Sequence, residues 1–215
     1  EDLPINTWYM KRFAGLSEDG LSLWYYTDKE TNEEKTTTTY STGDFYLCGD
    51  PNPDLYGGFG TSITFHGFDL STQFSYLVGG LTYDYGYAGM MGNPTATSVG
   101  NRWHKDVLKA WSPENPSSTI PRWYFNDLNT TGSSDRFLID GSYLNLQNIQ
   151  VGYTLPDSWT SHLKIKNLRL YFVCDNVYYW SKRKGLDPRR SISGVGTSGK
   201  IAPFRTYSGG ISLQF

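Results

Sequence analysis

From residue 59 onward the chain reads as long segments of alternating polarity. Phe59, Thr61, Ile63 and Phe65 share one parity. Beyond them Phe68, Leu70, Thr72, Phe74, Tyr76 and Val78 share another, with Ser71, Gln73 and Ser75 interleaved. A period of two marks a strand with unlike faces. The short word HGFD at 66–69 leaves room only for a tight turn. The same alternation returns at 142–156, at 163–180, where Leu168, Leu170, Phe172 and Cys174 alternate with Arg169, Tyr171 and Val173, and at 204–215, where Gly209, Ile211, Leu213 and Phe215 face one way. Upstream, TWYMKRFAGL at 7–16 and LSLWYYT at 21–27 are candidate strands around the turn SEDG. Seven strands are expected in all.

One strand carries a break in phase. In SYLNLQNIQVGYTLP, Leu144 and Leu146 share one parity, but Ile149, Val151, Tyr153 and Leu155 share the other. Two readings stay open: a β-bulge, or a first part of the strand that rises above the layer the second part meets.

The connections are unequal. Those at 17–20, 66–69 and 156–162 are short, whereas 28–56, 88–141 and 181–200 are long. A soluble sandwich has no reason to keep one end short. A membrane β-barrel does, with short turns on one side and long loops on the other, and its strands alternate apolar-out and polar-in. Within the long connections, 28–44 is too polar for a hairpin, Pro51 and Pro53 discourage ladder pairing, and NRWHKDVLKAW at 101–111 has helical spacing of His104, Val107, Leu108 and Trp111. The Gly pairs at 57–58, 79–80 and 209–210 read as points of strand curvature.

Composition agrees with β structure. The 215 residues hold 17 Tyr, 11 Phe, 7 Trp and 23 Gly, residues of strands and turns. A formal net charge of -2 argues against a nucleic-acid partner. No apolar run reaches the length of a membrane helix, which leaves a membrane barrel open. A soluble β domain that packs these aromatics in its core is the alternative on pattern alone. Cys48 and Cys174 fit no metal spacing; they are open to pairing, although Cys174 reads as a small buried strand residue. His66, His104 and His162 stand apart, and no catalytic constellation emerges, so neither an enzyme nor a cofactor is expected. The sequon-like NTT at 129–131 would matter only in a secreted eukaryotic protein.

Several words in fixed order carry a resemblance: DLYGGFG at 54–60, GFDLSTQFSYLVGG at 67–80, VLKAWSPENPSSTIPR at 107–122, FLIDGSYLNLQNIQVGYTLP at 137–156, GLDP at 185–188 and the terminal YSGGISLQF. Together they resemble the C-terminal barrel region of the SusC/RagA-like TonB-dependent transporters of the Bacteroidetes outer membrane. CDNV at 174–177 and Arg189 depart from the family's usual residues. The resemblance implies an all-β chain, residues 1–215 forming about seven strands of a larger antiparallel transmembrane barrel with long external loops, and beginning within one such loop. The plug and N-terminal regions lie outside it. It implies nutrient import, of a glycan or alternatively a peptide. The partners it implies are the rest of the transporter, a SusD-like lipoprotein, the TonB complex and outer-membrane lipid. A secreted β-rich glycan-binding module is the competing reading.

Candidate contact residues for substrate or partner are the loop aromatics Trp103, Trp111, Trp123, Tyr124 and Trp180, whose rings suit sugars or a protein surface, and Arg189. The basic run KRKG at 182–185, with Arg189 and Arg190, is either solvated loop or a contact for anionic lipopolysaccharide or an acidic protein. Phe215 is the candidate for an assembly signal at the end of the last strand.

Overall fold

A computed structural model describes residues 3–97, 100, 102–127, 129–130, 132–160, 165–183, 187, 189, 194 and 203–215. The described strands are β1 (Tyr9–Lys11), β2 (Phe13–Leu16), β3 (Ser22–Thr27), β4 (Glu34–Thr37), β5 (Phe45–Leu47), β6 (Leu55–Phe65), β7 (Phe68–Val78), β8 (Leu81–Tyr83), β9 (Leu138–Asp140), β10 (Tyr143–Thr154), β11 (Asn167–Ser181) and β12 (Thr206–Gln214). Two short helices join them, α1 (Tyr85–Met91) and α2 (Asp157–Thr160).

The chain divides into two compact units. One comprises Pro53–Gly79, Gly141–Arg189 and Lys200–Phe215. It is a single antiparallel sheet in the order β12-β11-β10-β7-β6. β6 and β7 pair over their whole length, from Leu55↔Val78 to Phe65↔Phe68. His66 (φ 48°) and Gly67 (φ 84°) both turn left-handed, as a two-residue hairpin whose twist matches its strands requires. Thr154 N–H donates to the Gly67 carbonyl at 2.7 Å, which seats the end of β10 on that turn.

The phase break in β10 is a bulge. Leu146 pairs with Phe74, but Asn148 pairs with Gln73, so Gln147 is the extra residue. One inserted residue returns Ile149, Val151 and Tyr153 to the face that Leu144 and Leu146 already occupy. β11 takes up the irregularity near Asn176, which has φ 51°.

The other unit comprises Glu1–Asn52, Gly80–Asp140 and Arg190–Gly199. Its sheets are small: β1-β5, β2-β3-β4 and β8-β9. Met10, Tyr83, Met91 and Phe137 form its core, with Trp8, Cys48, Tyr87, Val107, Ile120 and Leu138 packed around them. Here expectation and structure part. The two segments at 7–16 and 21–27 do form strands, but in these small sheets, so among the described residues the large sheet has five strands rather than seven. Residues 28–44 are not plain loop, because β4 pairs with β3 from Trp24↔Thr37 to Thr27↔Glu34. Residues 102–111 form a 3-10 turn at Lys105–Lys109, which packs the half-buried Val107 against the core and leaves Leu108 89% exposed. The α-helix of this region is α1, which starts where the Asp84 side chain accepts from the Tyr87 N–H. Gly79 and Gly80 (φ 82° and 71°) end β7 instead of curving it. Cys48 and Cys174 are both unpaired, the latter buried.

The bulge generates a test. Deleting Gln147 forces residues 143–146 out of phase, which carries Asn145 to the apolar face and Leu144 and Leu146 off it. Setting one amide against an apolar medium costs about 1–3 kcal/mol. The folded, heat-modifiable fraction of the whole protein on gels is expected to fall sharply, and Gln147→Ala to leave it near the parent level.

Candidate functional site

The large sheet has two chemically distinct faces. On one, Leu55, Phe59, Ile63 and Phe65 of β6 stand opposite Val78, Phe74, Leu70 and Phe68 of β7. Val151 pairs with Leu70 and with Phe172, and Leu170 pairs with Ile211, so the apolar character continues across β10, β11 and β12. These side chains are not a core: Phe59, Ile63, Phe68, Phe172, Ile211 and Leu213 are each about half exposed or more. An apolar face of this extent needs an apolar medium or partner. Its size suits a bilayer. β7 has 11 residues. At roughly 3.4 Å each, they span about 35 Å, which a barrel tilt of about 40° projects onto about 27 Å, close to the apolar band of an outer-membrane barrel. Aromatics mark both ends, with Phe68 against Tyr153 at the turn side (4.4 Å) and Tyr178 against Trp180 at the other (4.9 Å).

The opposite face is polar and internally bonded. Asp69 and Gly152 pair directly, while Arg169 pairs with Thr154, two residues along on the same face. Arg169 reaches over Gly152 to Asp69, with Nε–Oδ1 at 2.9 Å and Nη2–Oδ2 at 2.6 Å. A β-carbon on Gly152 would fall 2.4 Å from Asp69 Oδ1 and 2.5 Å from Arg169 Nη2, so the bridge needs glycine there. Higher in the sheet Asn145 is 2% exposed and donates to Ser75 Oγ at 3.4 Å. Asn148 donates to Asp175 at 2.7 Å.

Arg189 belongs to this polar face. It grips Asp187 with two parallel bonds of 2.8 and 2.7 Å, donates to Asn145 Oδ1 at 2.7 Å, and lies 4.8 Å over the Tyr179 ring. Its bonding ties Asp187 and Arg189 to β10 and β11. Sequence reasoning marked Arg189 as a contact for something external and missed its partner Asp187, two residues away. Lys184, Gly185 and Arg190 of the basic cluster lie outside the described residues, as do His162 and Thr131.

The other unit contains a caged cation. Lys11 is 4% exposed, and its Nζ donates to the carbonyls of Tyr40, Ser41 and Gly43 at 2.5, 3.2 and 2.8 Å. Burial lowers its pKa, against the pull of Asp44. Arg136 lies between the rings of Phe13 and Phe137 (5.2 and 5.1 Å), and burial brings it down to about 10. Burial also raises the Asp135 carboxyl, although the Phe13 N–H bonds it at 2.8 Å. The lone His104 has a structural use, since its Nδ1 accepts from the Asp106 N–H and starts the 3-10 turn. Lys109 and then Tyr87 hold the Asp106 carboxyl below its usual pKa.

The loop aromatics divide by role. Trp111 packs over Gly20 (φ 72°), whose missing side chain leaves room for the ring. Trp103 and Trp123 meet edge to face at 5.3 Å, and Trp123 Nε1 donates to the Gly92 carbonyl at 3.2 Å. Tyr124 is 64% exposed beside Arg122, and Phe125 is 60% exposed. Trp180 lies in β11, within the strand expected at 163–180, in the apolar-face row with Leu144 and Tyr76. The structure thus brings Trp103, Trp123 and Tyr124 into one segment and places Trp180 and Arg189 elsewhere. Leu108 and Phe125 were missed, because exposure of single apolar residues in a loop has no period to betray it. Among the described residues no cluster of His, Cys, Asp or Glu could hold a metal ion.

No family model matches the chain. It is 30% identical over 212 residues to the TonB-dependent receptor P3 of Formosa agariphila, which covers 94% of this chain and 20% of that protein. It is 27% identical over 180 residues to the TonB-dependent receptor SusC of Bacteroides thetaiotaomicron, covering 82% of this chain and 17% of that one. The solved structure of the RagAB peptide transporter matches with a TM-score of 0.79 and 25% identity, over 97% of this chain and 23% of the other. The chain therefore spans about a fifth of the length of these relatives. Each is named as a receptor or transporter, not as an enzyme.

The cross-strand bridge is testable in the whole protein. Gly152→Val is expected to lower its folding stability by about 1–3 kcal/mol, the cost of overpacking. Added to Asp69→Ala, which clears the space, the same change is expected to cost much less. Urea midpoints in detergent for the two single variants and the double variant give the coupling; strict additivity would show that the pair does not cross Gly152.

Proposed function

Because the chain is related to the SusC/RagA-like TonB-dependent receptors along about a fifth of their length, we propose that it supplies strands of an outer-membrane β-barrel. The whole protein imports a nutrient, and TonB supplies the energy through regions outside this chain. The observation that carries this reading is the two-faced sheet, apolar and exposed on one side and polar and ion-paired on the other. The apolar face meets lipid, and the polar face lines the lumen. Both edge strands, β12 and β6, need further strands, since an open sheet edge has no hydrogen-bond partner in a bilayer. The rest of the transporter supplies them.

The proposed substrate is an oligosaccharide, the class that the family resemblance implies, captured together with a SusD-like surface lipoprotein. The exposed rings of Trp123 and Tyr124 support it, because flat apolar rings stack on sugar faces. Peptide import is the second reading, favoured by the likeness to the RagAB peptide transporter. Growth of a deletion strain, complemented by the whole gene, on oligosaccharide or on peptide as sole carbon source separates the two. A product that stays soluble without detergent would sink both.

Two outcomes follow for variants of the whole transporter. Trp123→Ala with Tyr124→Ala is expected to weaken oligosaccharide capture about tenfold, about 1.4 kcal/mol, at unchanged surface abundance; unchanged capture would remove these rings from the site. Deleting Phe215 is expected to reduce the amount inserted, read by surface labelling, more than the transport rate per inserted molecule. Leu213→Arg, on the lipid side, is expected to cost about 1–4 kcal/mol depending on depth.

A further inference from the structure

Arg136 stands out among the cations of the unit built on Met10, Tyr83, Met91 and Phe137. Its backbone is fixed on both sides. Asp135 Oδ1 accepts from the Phe13 N–H at 2.8 Å, and the Phe137 carbonyl accepts from the Asp84 N–H at 3.0 Å. Ser134 is 0% exposed and Phe137 5%. The side chain is placed as firmly, because the two rings against it are themselves held. Phe13 meets Trp24 edge to face at 5.7 Å, and Phe137 meets Tyr83 and Tyr87, each at 6.1 Å.

What this setting lacks is an acceptor. Rings cover the faces of a guanidinium, but its N–H donors lie in its plane and point out from its edge. Elsewhere in the chain such edges meet carboxylates: Arg12 meets Glu34, Arg122 approaches Asp127, Arg169 grips Asp69 and Arg189 grips Asp187. The buried Lys11 spends its donors on three carbonyls. Among the described residues nothing accepts from the Arg136 guanidinium. The Asp135 carboxylate is turned to Phe13, and the Tyr87 hydroxyl donates to Asp106. Burial accordingly pulls the Arg136 pKa down with no carboxylate to raise it.

Arg136 is half-buried, and a charge taken out of water without a counter-ion is costly. A rigid guanidinium edge matches one group above others, a planar carboxylate bound by parallel hydrogen bonds. The chain spans about a fifth of the length of its relatives, so most of the polypeptide that supplies such a group lies outside it. A cargo that comes and goes would leave the charge unpaired at each release, whereas a neighbouring segment pairs it throughout.

We propose that Arg136 is the docking point for an Asp or Glu carboxylate on another segment of the same polypeptide, outside residues 1–215, held at the guanidinium edge between Phe13 and Phe137. The inference rests on the reading of this chain as part of a longer transporter.

The test uses the whole transporter, purified in detergent without its lipoprotein. Arg136→Lys supplies an amine, and a water-soluble carbodiimide joins an amine to a carboxylate in contact with it. Peptide mass spectrometry is expected to find position 136 joined to an Asp or Glu outside residues 1–215. Neutralising that carboxylate by Asp→Asn or Glu→Gln is then expected to speed phenylglyoxal labelling of the parental Arg136 about tenfold, the factor that about 1.4 kcal/mol of pairing gives. No cross-link from a variant with unchanged heat modifiability, or one confined to residues 1–215, would overturn the docking point. So would labelling of the parental Arg136 as fast as that of the exposed Arg102, which needs no variant. A cross-link that forms only when the lipoprotein is added would overturn the intramolecular partner in favour of that protein. Protection of Arg136 only on addition of an acidic peptide or an oligogalacturonate would overturn it in favour of a cargo carboxylate. A product that stays soluble without detergent would overturn the transporter reading itself, whatever Arg136 joins.

Discussion

A strand has only two faces, and in this sheet one must stay apolar and the other polar along its full length. That constraint governs the rest. A single-residue slip would exchange the faces of everything beyond it. β10 is flanked by β7 and β11, so any slip would spread to both. The bulge at Gln147 lets β10 change parity in sequence without changing sides in space. β11 absorbs its own irregularity at Asn176 and Val177, so that Phe172, Cys174, Tyr178 and Trp180 keep one side. The backbone distortion is local, and the benefit is a continuous apolar surface.

The polar face solves a related problem by different means. Asp69 and Arg169 are on strands that do not touch, separated by β10. They pair because the residue between them has no side chain. Arg189 does the same for a connecting segment, tying Asp187 to Asn145 and covering the Tyr179 ring. Buried or half-buried charges are tolerable only when their donors and acceptors are matched, and the Asp69–Arg169 and Asp187–Arg189 pairs are matched by two parallel bonds each. The bonding fixes strands side to side at the turn end and anchors a loop at the other.

Strand parity made the large sheet legible. β6, β7, β10, β11 and β12 fall where alternation puts them, because a sheet with one apolar and one polar face imposes a period of two on its strands. The hairpin at His66–Gly67 was legible for the same reason. The choice between bulge and overhang in β10 was not, because Leu144 and Leu146 have the same pattern in either case and only pairing with Phe74 and Tyr76 decides. The second unit was legible poorly. β4 carries Glu34 and Lys35 and has no apolar face to show. α1 contains Gly86 and Gly89 and is held by the Asp84 cap and by the packing of Met91, not by propensity. The helical spacing at 101–111 misled because Leu108 faces out while its neighbour Val107 packs in.

The same distinction explains why the candidate contact residues scattered. Trp111, Trp123 and Trp180 look alike in sequence, each an aromatic in or near a long connection. Trp111 fills the space left by Gly20, and so packs the unit in which it sits. Trp123 uses its Nε1 on the Gly92 carbonyl, which fixes the ring and leaves part of it open. Trp180 is governed by strand parity and points with Leu144 and Tyr76, so its medium is that of the apolar face. A tryptophan's role here follows from the order of the backbone beneath it. Where the backbone pairs in register, the face assigns the role; where it is irregular, a single neighbouring glycine or carbonyl does. Surfaces for ligands and partners are therefore to be sought where rings are fixed at one edge and open at the other, as in the segment Trp123–Phe125, and not among aromatics in general.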